Sequence, residues 1–212
     1  MKKIILSLVV FASVLTACKG EKKETVKTDE AKVVDVNVGE LDNVDTSVSV
    51  LHWEGTKPTG AHNGTVALKT GGLLINEGTL VGGEFIIDMS TITNKDMEGS
   101  DGAGKLEGHL KAADFFDIEA YPTSRFVITN AEKTATGYNV TGNLRIKDVT
   151  KSITIPAMLS TESGVTVFKS ETFNINRADF NVKYGSKSFF DDLQDKFIDD
   201  IIAMSFEVKT KA

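Results

Sequence analysis

The chain has 212 residues, of which 41% are apolar and 25% charged, and a formal net charge of −6 at neutral pH. An acidic balance makes nucleic acid and anionic lipid poor partners. Cys18 is the single cysteine, so neither an internal disulfide nor a CxxC redox or zinc site is available, and stability has to come from a packed core.

In chain order the first element is a leader, MKKIILSLVVFASVLTACKG, in which Lys2 and Lys3 precede an apolar run from Ile4 to Leu15 and small residues lead to Cys18. This is the pattern of an export signal over residues 1–17, and its apolar run is shorter than the roughly 20 residues a membrane-spanning helix needs. LTAC resembles a bacterial lipobox, which implies cleavage before Cys18 and acylation of that residue as a membrane anchor. The alternative is an ordinary signal peptide cut nearby, with Cys18 incidental. Loss of Lys2 and Lys3 with a leader that holds no acidic residue takes the formal charge from −6 to −8. Lys19 is not the aspartate that signals inner-membrane retention in enteric lipoproteins, so the expected location is the outer membrane, facing the periplasm or the cell surface. Residues 18–45 are then expected to form a solvated tether, rich in Lys, Glu, Asp, Thr and Val, with an end-to-end distance on the order of 30 Å.

Residues 46–212 are the size of one domain. Period-two alternation recurs along them, in Phe126 and Ile128; in Tyr138, Val140, Leu144 and Ile146; in Ile153 and Ile155; in Val165 and Val167; in Phe173 and Ile175; and in Ile202, Met204, Phe206 and Val208. Each series predicts a strand with one buried face. The short turn signals between them, such as NEG at Asn76–Gly78 and TESG at Thr161–Gly164, favour antiparallel hairpins over parallel crossovers. Two stretches break the alternation with helical spacing. One runs from Ala103 to Phe116; the other, from Lys187 to Phe197, spaces Phe189, Phe190, Leu193 and Phe197. A closed barrel and a sandwich both satisfy this pattern.

Five stretches in order resemble the YceI family: LHWEGTKPTGAHNGTVALKTG (Leu51–Gly71), LVGGEFIIDMSTI (Leu80–Ile92), GHLKAADFFDIEAYPTSRFVIT (Gly108–Thr129), YNVTGNLRIKDVTKSITIPA (Tyr138–Ala157) and INRADFNVKYG (Ile175–Gly185). The family pattern runs from a Trp-containing first strand to a histidine, a GxFxxD strand, HLxxxDFFDxxxYP and GxLxxxxxTK, and the resemblance covers essentially the whole domain. It implies an all-β fold, an elongated antiparallel lipocalin-like β-barrel of about eight strands with one or two short helices. It also implies an apolar lumen for a polyisoprenoid lipid or prenyl quinone, carried or sequestered without chemistry and with no other cofactor.

A prenyl chain offers no charge to recognise, so its affinity must come from apolar area removed from water, at roughly 25 cal/mol per Å² before ordering costs. Twelve Phe against one Trp and three Tyr suit such a cargo, because most of that aromatic surface carries no polar handle. Ile202, Met204 and Phe206 on the last strand are expected to face the lumen. The doublets Phe115–Phe116 and Phe189–Phe190 fall in strand connections, each followed by an aspartate, Asp117 or Asp191, where the chain returns to water. In an extended segment successive side chains point opposite ways, so one ring of a doublet is expected in the lumen and the other against the wall; a structural plug is the competing reading.

His62, in TGAHNG, His109 and Arg177 are the candidates for contact with a ligand's polar head. His52, His62 and His109 show no HxH or HExxH spacing, so no metal site is signalled. The acidic loop Asn94–Gly108, set against an EF-hand, has Lys105 where the bidentate Glu belongs. No nucleophile elbow or phosphate loop is present. Two other functions stay open on these residues: a surface lipoprotein with a filled barrel that binds a protein partner, and an enzyme using Asp88, His62, His109 or Arg177. Nothing signals an oligomeric state.

Overall fold

The computed structural model describes residues 24–33 and 41–212; the predicted leader and Cys18 lie outside the described residues. Its elements are β1 (Asp29–Glu30), β2 (Val50–Lys57), β3 (Gly60–Asn76), β4 (Thr79–Asn94), α1 (Asp101–Lys111), β5 (Thr123–Lys133), β6 (Tyr138–Ile146), β7 (Val149–Glu162), β8 (Val165–Ser170), β9 (Phe173–Asn176) and β10 (Ile201–Lys209). Consecutive strands from β2 to β8 pair antiparallel. β10 closes the ring by pairing β2, with Met204 opposite Trp53, and β8, with Val208 opposite Phe168. The result is the expected closed antiparallel barrel, eight strands around and free of the edges an open sheet would expose.

Turn chemistry sets one end of it. Glu77–Gly78 and Ser163–Gly164 link their strands with both residues at positive φ, the twist that two-residue hairpin loops require. Beneath these turns the lumen is solid. Leu73, Leu80, Ile128, Val140 and Phe168 are fully or almost fully buried there, and Phe168 stacks on Phe85 at 6.0 Å and meets Phe206 at 4.9 Å. Gly142 makes room for this packing, since a Cβ there would collide with the ring of Phe126 on the neighbouring strand. On β8 the expected parity is reversed: Thr166 and Phe168 face inward, and Val165 and Val167 are half-buried on the other side. The area gained by enclosing one phenylalanine outweighs what two partly covered valines lose.

The helix is shorter than the spacing predicted. Ser100 caps α1 by accepting from the Ala103 N–H, Asp101 stands in the first turn, and Ala103, Leu106 and Leu110 form the face laid on the barrel. It stops at Lys111 because Ala112 is extended, and Asp117 then adopts a left-handed conformation that turns the chain back. The second predicted helical stretch is mostly turn. Asp192 and Gln194 both have positive φ, and only Gln194–Lys196 forms a 3₁₀ turn.

The expected tether is also corrected where it is described. Val44 is 0% exposed and bridges Thr210, Asn43 exchanges hydrogen bonds of 2.8 and 2.9 Å with Leu73, and Asp42 pairs with Lys211 at 2.9 Å. The packed domain therefore includes residues 41–45. Residues 24–33 lie on the wall at a defined place. The first half of β7 pairs β6 on one side, but β8 reaches only Ala157–Glu162 on the other, and among the described strands β9 pairs β10 alone, leaving a seam between β7 and β9. The strap bridges it. The Val26 N–H donates to the Asn174 carbonyl at 2.9 Å, and Asp29 and Glu30 pair with Ser152 and Lys151. Val26 packs on the core, while the Asn143 side chain exchanges bonds of 2.9 and 2.7 Å with the backbone of Lys32.

Alternation could not reveal this, because the strap is held by backbone groups and polar side chains: the buried Asn143 amide, the Asn174 amide on the Glu24 carbonyl at 2.8 Å, and the Thr28 hydroxyl donating to Asp179 at 2.8 Å. Asn143→Ala is expected to lose both bonds and cost about 1–3 kcal/mol. Limited proteolysis should then cut within residues 24–33 under conditions that leave the barrel intact.

Candidate functional site

At the end opposite the hairpin turns the barrel is hollow. A cavity of about 520 Å³ opens there, within the range of roughly 300–1,000 Å³ typical of small-molecule sites. Below it a second space of about 60 Å³ continues toward the solid end. Leu51, Ile87, Leu144 and Met204 line both, so the two are successive stretches of one lumen narrowed at that level. The deeper space is lined by aliphatic, phenylalanine and methionine side chains alone, Phe85, Phe126, Phe173 and Phe206 among them. Polar groups appear only in the upper cavity, where Lys57, His62, His109, Arg177, Asp195, Lys196 and Asp199 join its wall.

The first aromatic doublet roofs this cavity, and both rings line it. The expectation that they point opposite ways fails for a physical reason: the segment is a turn rather than an extended strand. The Phe115 N–H donates to the Ala112 carbonyl and the Phe116 N–H to the Leu110 carbonyl, which folds the two rings onto one side in edge-to-face contact at 5.0 Å. Phe115 is the more buried of the two, at 5% exposure, and lies under the Arg177 guanidinium at 5.5 Å. The second doublet is elsewhere. Phe189 and Phe190 stand outside, about half exposed, and line neither space.

Ile202 and Met204 line the upper cavity, and Met204 and Phe206 the lower, as strand parity predicts. His62 lines the cavity with Nδ1 held 2.9 Å from Asp96, which leaves Nε2 as its other polar atom at the wall. His109 lies edge-on to Tyr184 at 4.4 Å, with Nε2 3.4 Å from Asp114. Arg177 is 1% exposed, and it donates to the carbonyls of Asp199, Val182 and Ile198 and pairs with Asp200 at 3.3 Å. Burial lowers the proton affinity of its guanidinium, an effect opposed by Asp200 and Asp199. Those bonds hold the β9–β10 connection across the mouth and leave Arg177 little donor capacity for a ligand.

A family model described as a YceI-like domain matches residues 39–210. The chain belongs to the YceI family. Among its relatives a UPF0312 protein of Yersinia enterocolitica is 32% identical over 79 residues, 35% of this chain and 41% of that protein. A UPF0312 protein of Pseudomonas putida is 36% identical over 84 residues, 35% and 42% of the two lengths. The chain thus matches about two fifths of the length of these relatives. Two solved structures share the fold. BcnA of Burkholderia cenocepacia has a TM-score of 0.64 at 21% identity, covering 80% of this chain and 100% of its own. A polyisoprenoid binding domain from Saccharophagus degradans, described as implicated in plant cell wall breakdown, has a TM-score of 0.61 at 16% identity, covering 82% and 99%.

In this YceI domain the sequence reading missed Trp53, Met89 and Ile92 as cavity residues, although the parity of β2 and β4 could have found Trp53 and Met89. The residues added by the connections, Tyr184 and Ile198, carried no such signal. The reading also missed what orients His62. Asp96 accepts from the Asn63 N–H, His62 and the Asn94 amide, in that order of effect, and its carboxyl is lowered to about 2. A carboxyl depressed in the fold stabilises at pH above its unfolded value of 3.8, and that contribution is lost as pH falls toward 2. The urea midpoint should therefore drop between about pH 4 and pH 2, and the drop should shrink in Asp96→Asn, whose amide does not titrate.

Proposed function

We propose that the protein binds a polyisoprenoid or prenyl-quinone lipid in the lumen, with the chain in the apolar depth and the polar head toward the mouth, and carries or sequesters it without chemistry. The observation that carries this reading is the division of the lumen: no polar side chain lines the deeper space, and those of the upper cavity mix both signs of charge. A long uncharged chain with an uncharged polar end suits that gradient. Support also comes from the shared fold of the polyisoprenoid binding domain from Saccharophagus degradans. A hollow upper half does not favour the filled-barrel alternative.

The test is organic extraction and mass spectrometry of protein purified from its native envelope. A stoichiometric isoprenoid is the expected result, and a lumen that stays empty and fails to take up a polyprenol or prenyl quinone in vitro rejects the reading. Anchoring through acylated Cys18 in the outer membrane belongs to the same proposal. Labelled acyl chains should enter the parent chain and not Cys18→Ser, and equal labelling of the two would reject the anchor.

A further inference from the structure

The β9–β10 connection carries an exposed aromatic surface, of which Tyr184 lines the cavity and Phe189 and Phe190 do not. Tyr184, Phe189 and Phe190 are 42%, 43% and 49% exposed, and they are the aromatic side chains among the exposed large apolar residues of the described chain. All three lie within seven positions of one loop, and that loop crosses the cavity mouth, where Tyr184, Lys196 and Ile198 line the opening. Lysines attend the rings. Lys183 Nζ stands 4.9 Å over Phe189, and Lys187 Nζ stands 3.4 Å over Phe197. Other exposed apolar side chains, such as Val81 and Met158, are aliphatic and lie elsewhere on the wall.

We propose that the Lys183–Phe197 connection docks the cavity mouth on the headgroup–acyl boundary of a phospholipid bilayer, with Phe189 and Phe190 inserted and Tyr184 at the rim. The proposal rests on the reading of the cavity as a lipid site, because a mouth pressed to the bilayer spares an apolar chain a passage through water. Aromatic rings beside lysines whose stems lie along apolar surface are the composition of membrane-interface anchors. Charge selects the surface. Lys183, Lys187 and Lys196 are matched by Asp191, Asp192 and Asp195 in the same connection, so an anionic membrane gains no net attraction and a zwitterionic one suffices. Attachment should then depend on ring burial and tolerate salt.

The probe is a vesicle of phosphatidylcholine containing a brominated lipid quencher. An environment-sensitive fluorophore is placed on Asp191→Cys, beside the rings, or on Val81→Cys, each in the full chain with Cys18→Ser so that one thiol is present. Val81 is as exposed as Phe189 but away from the mouth, so it reports attachment by any other route. Quenching at position 191, its absence at 81, and persistence in about 0.5 M salt are expected. Phe189→Ala with Phe190→Ala should bring position 191 to the level of the control, with the unfolding curve unchanged. Equal quenching at both positions, or quenching indifferent to the double substitution, overturns the docking surface. Extracted lipid is measured on the same preparations. A chain that holds isoprenoid but is not quenched at 191 overturns docking alone; a chain that docks and never takes up lipid overturns the cavity reading and leaves docking standing.

Discussion

Arg177→Ala is expected to lower the stability of the ligand-free protein by about 3 kcal/mol, the cost of removing one partner from a largely buried ion pair and leaving Asp200 with the Ser188 hydroxyl on Oδ2 as its side-chain partner. The guanidinium is nearly sealed from water and joins three carbonyls, of Asp199, Val182 and Ile198, to the Asp200 carboxylate. Among the described residues Asp200 Oδ1 finds no hydrogen-bond partner, so the ion pair at 3.3 Å is what offsets its burial. Arg177→Lys keeps the charge but not the planar fork, and should recover only part of the loss. Adding Asp200→Ala to Arg177→Ala should give back part of the loss, on the order of 1 kcal/mol, since it removes a carboxylate without its cation but also the Ser188 hydrogen bond to Oδ2. Urea unfolding of delipidated protein decides. A loss below about 1 kcal/mol would mean that water reaches this site and the connection is not stapled as described.

The same residue shows what the sequence could and could not say. Strand parity is a local property, and it placed Ile202, Met204 and Phe206 in the lumen because Ser205 and Glu207 alternate with them. It failed on β8, where Val165 and Val167 alternate cleanly but pairing with β10 sets Phe168 inward opposite Val208. Parity gives two faces; register with a neighbour decides which is inside. Residue type alone makes Arg177 a candidate for a ligand's polar head. Its actual partners are main-chain oxygens at positions 182, 198 and 199, which leave no mark in residue identity.

The aromatic doublets are the sharper case. Phe115–Phe116 and Phe189–Phe190 have the same local text, two phenylalanines and an aspartate, yet one roofs the cavity and the other faces out. The difference lies in what precedes them. A capped helix delivers the first against β4, where Leu110 anchors it. The second follows Lys187 and Ser188 into a loop with left-handed residues, with no amphipathic helix to bury it. Helical spacing at 189, 190, 193 and 197 was therefore misleading: Ser and Asp compete for backbone bonds and favour turns. The hollow half of the barrel was equally illegible, because a lining residue and a packed one are the same residue type.

Met204→Trp separates those two conditions. Met204 sits where the lumen narrows, lining the upper and lower spaces together and paired across the wall with Trp53. A larger side chain there grows into free volume, so the expected stability change is under about 1 kcal/mol, below the 1–3 kcal/mol of an overpacked core. The bound chain, by contrast, would lose its path into the deeper space, and recovered isoprenoid per protein should fall at least about tenfold, a difference of about 1.4 kcal/mol in binding. Val140 supplies the opposite condition, being fully buried toward the solid end and lining neither space. Val140→Phe should cost about 1–3 kcal/mol or more and leave the lipid content of the folded fraction near that of the parent. Extraction with mass spectrometry and urea unfolding on the two variants give four numbers. If Met204→Trp instead collapses stability while lipid stays bound, the narrowing is packed core and the chain ends above it, in the upper cavity alone.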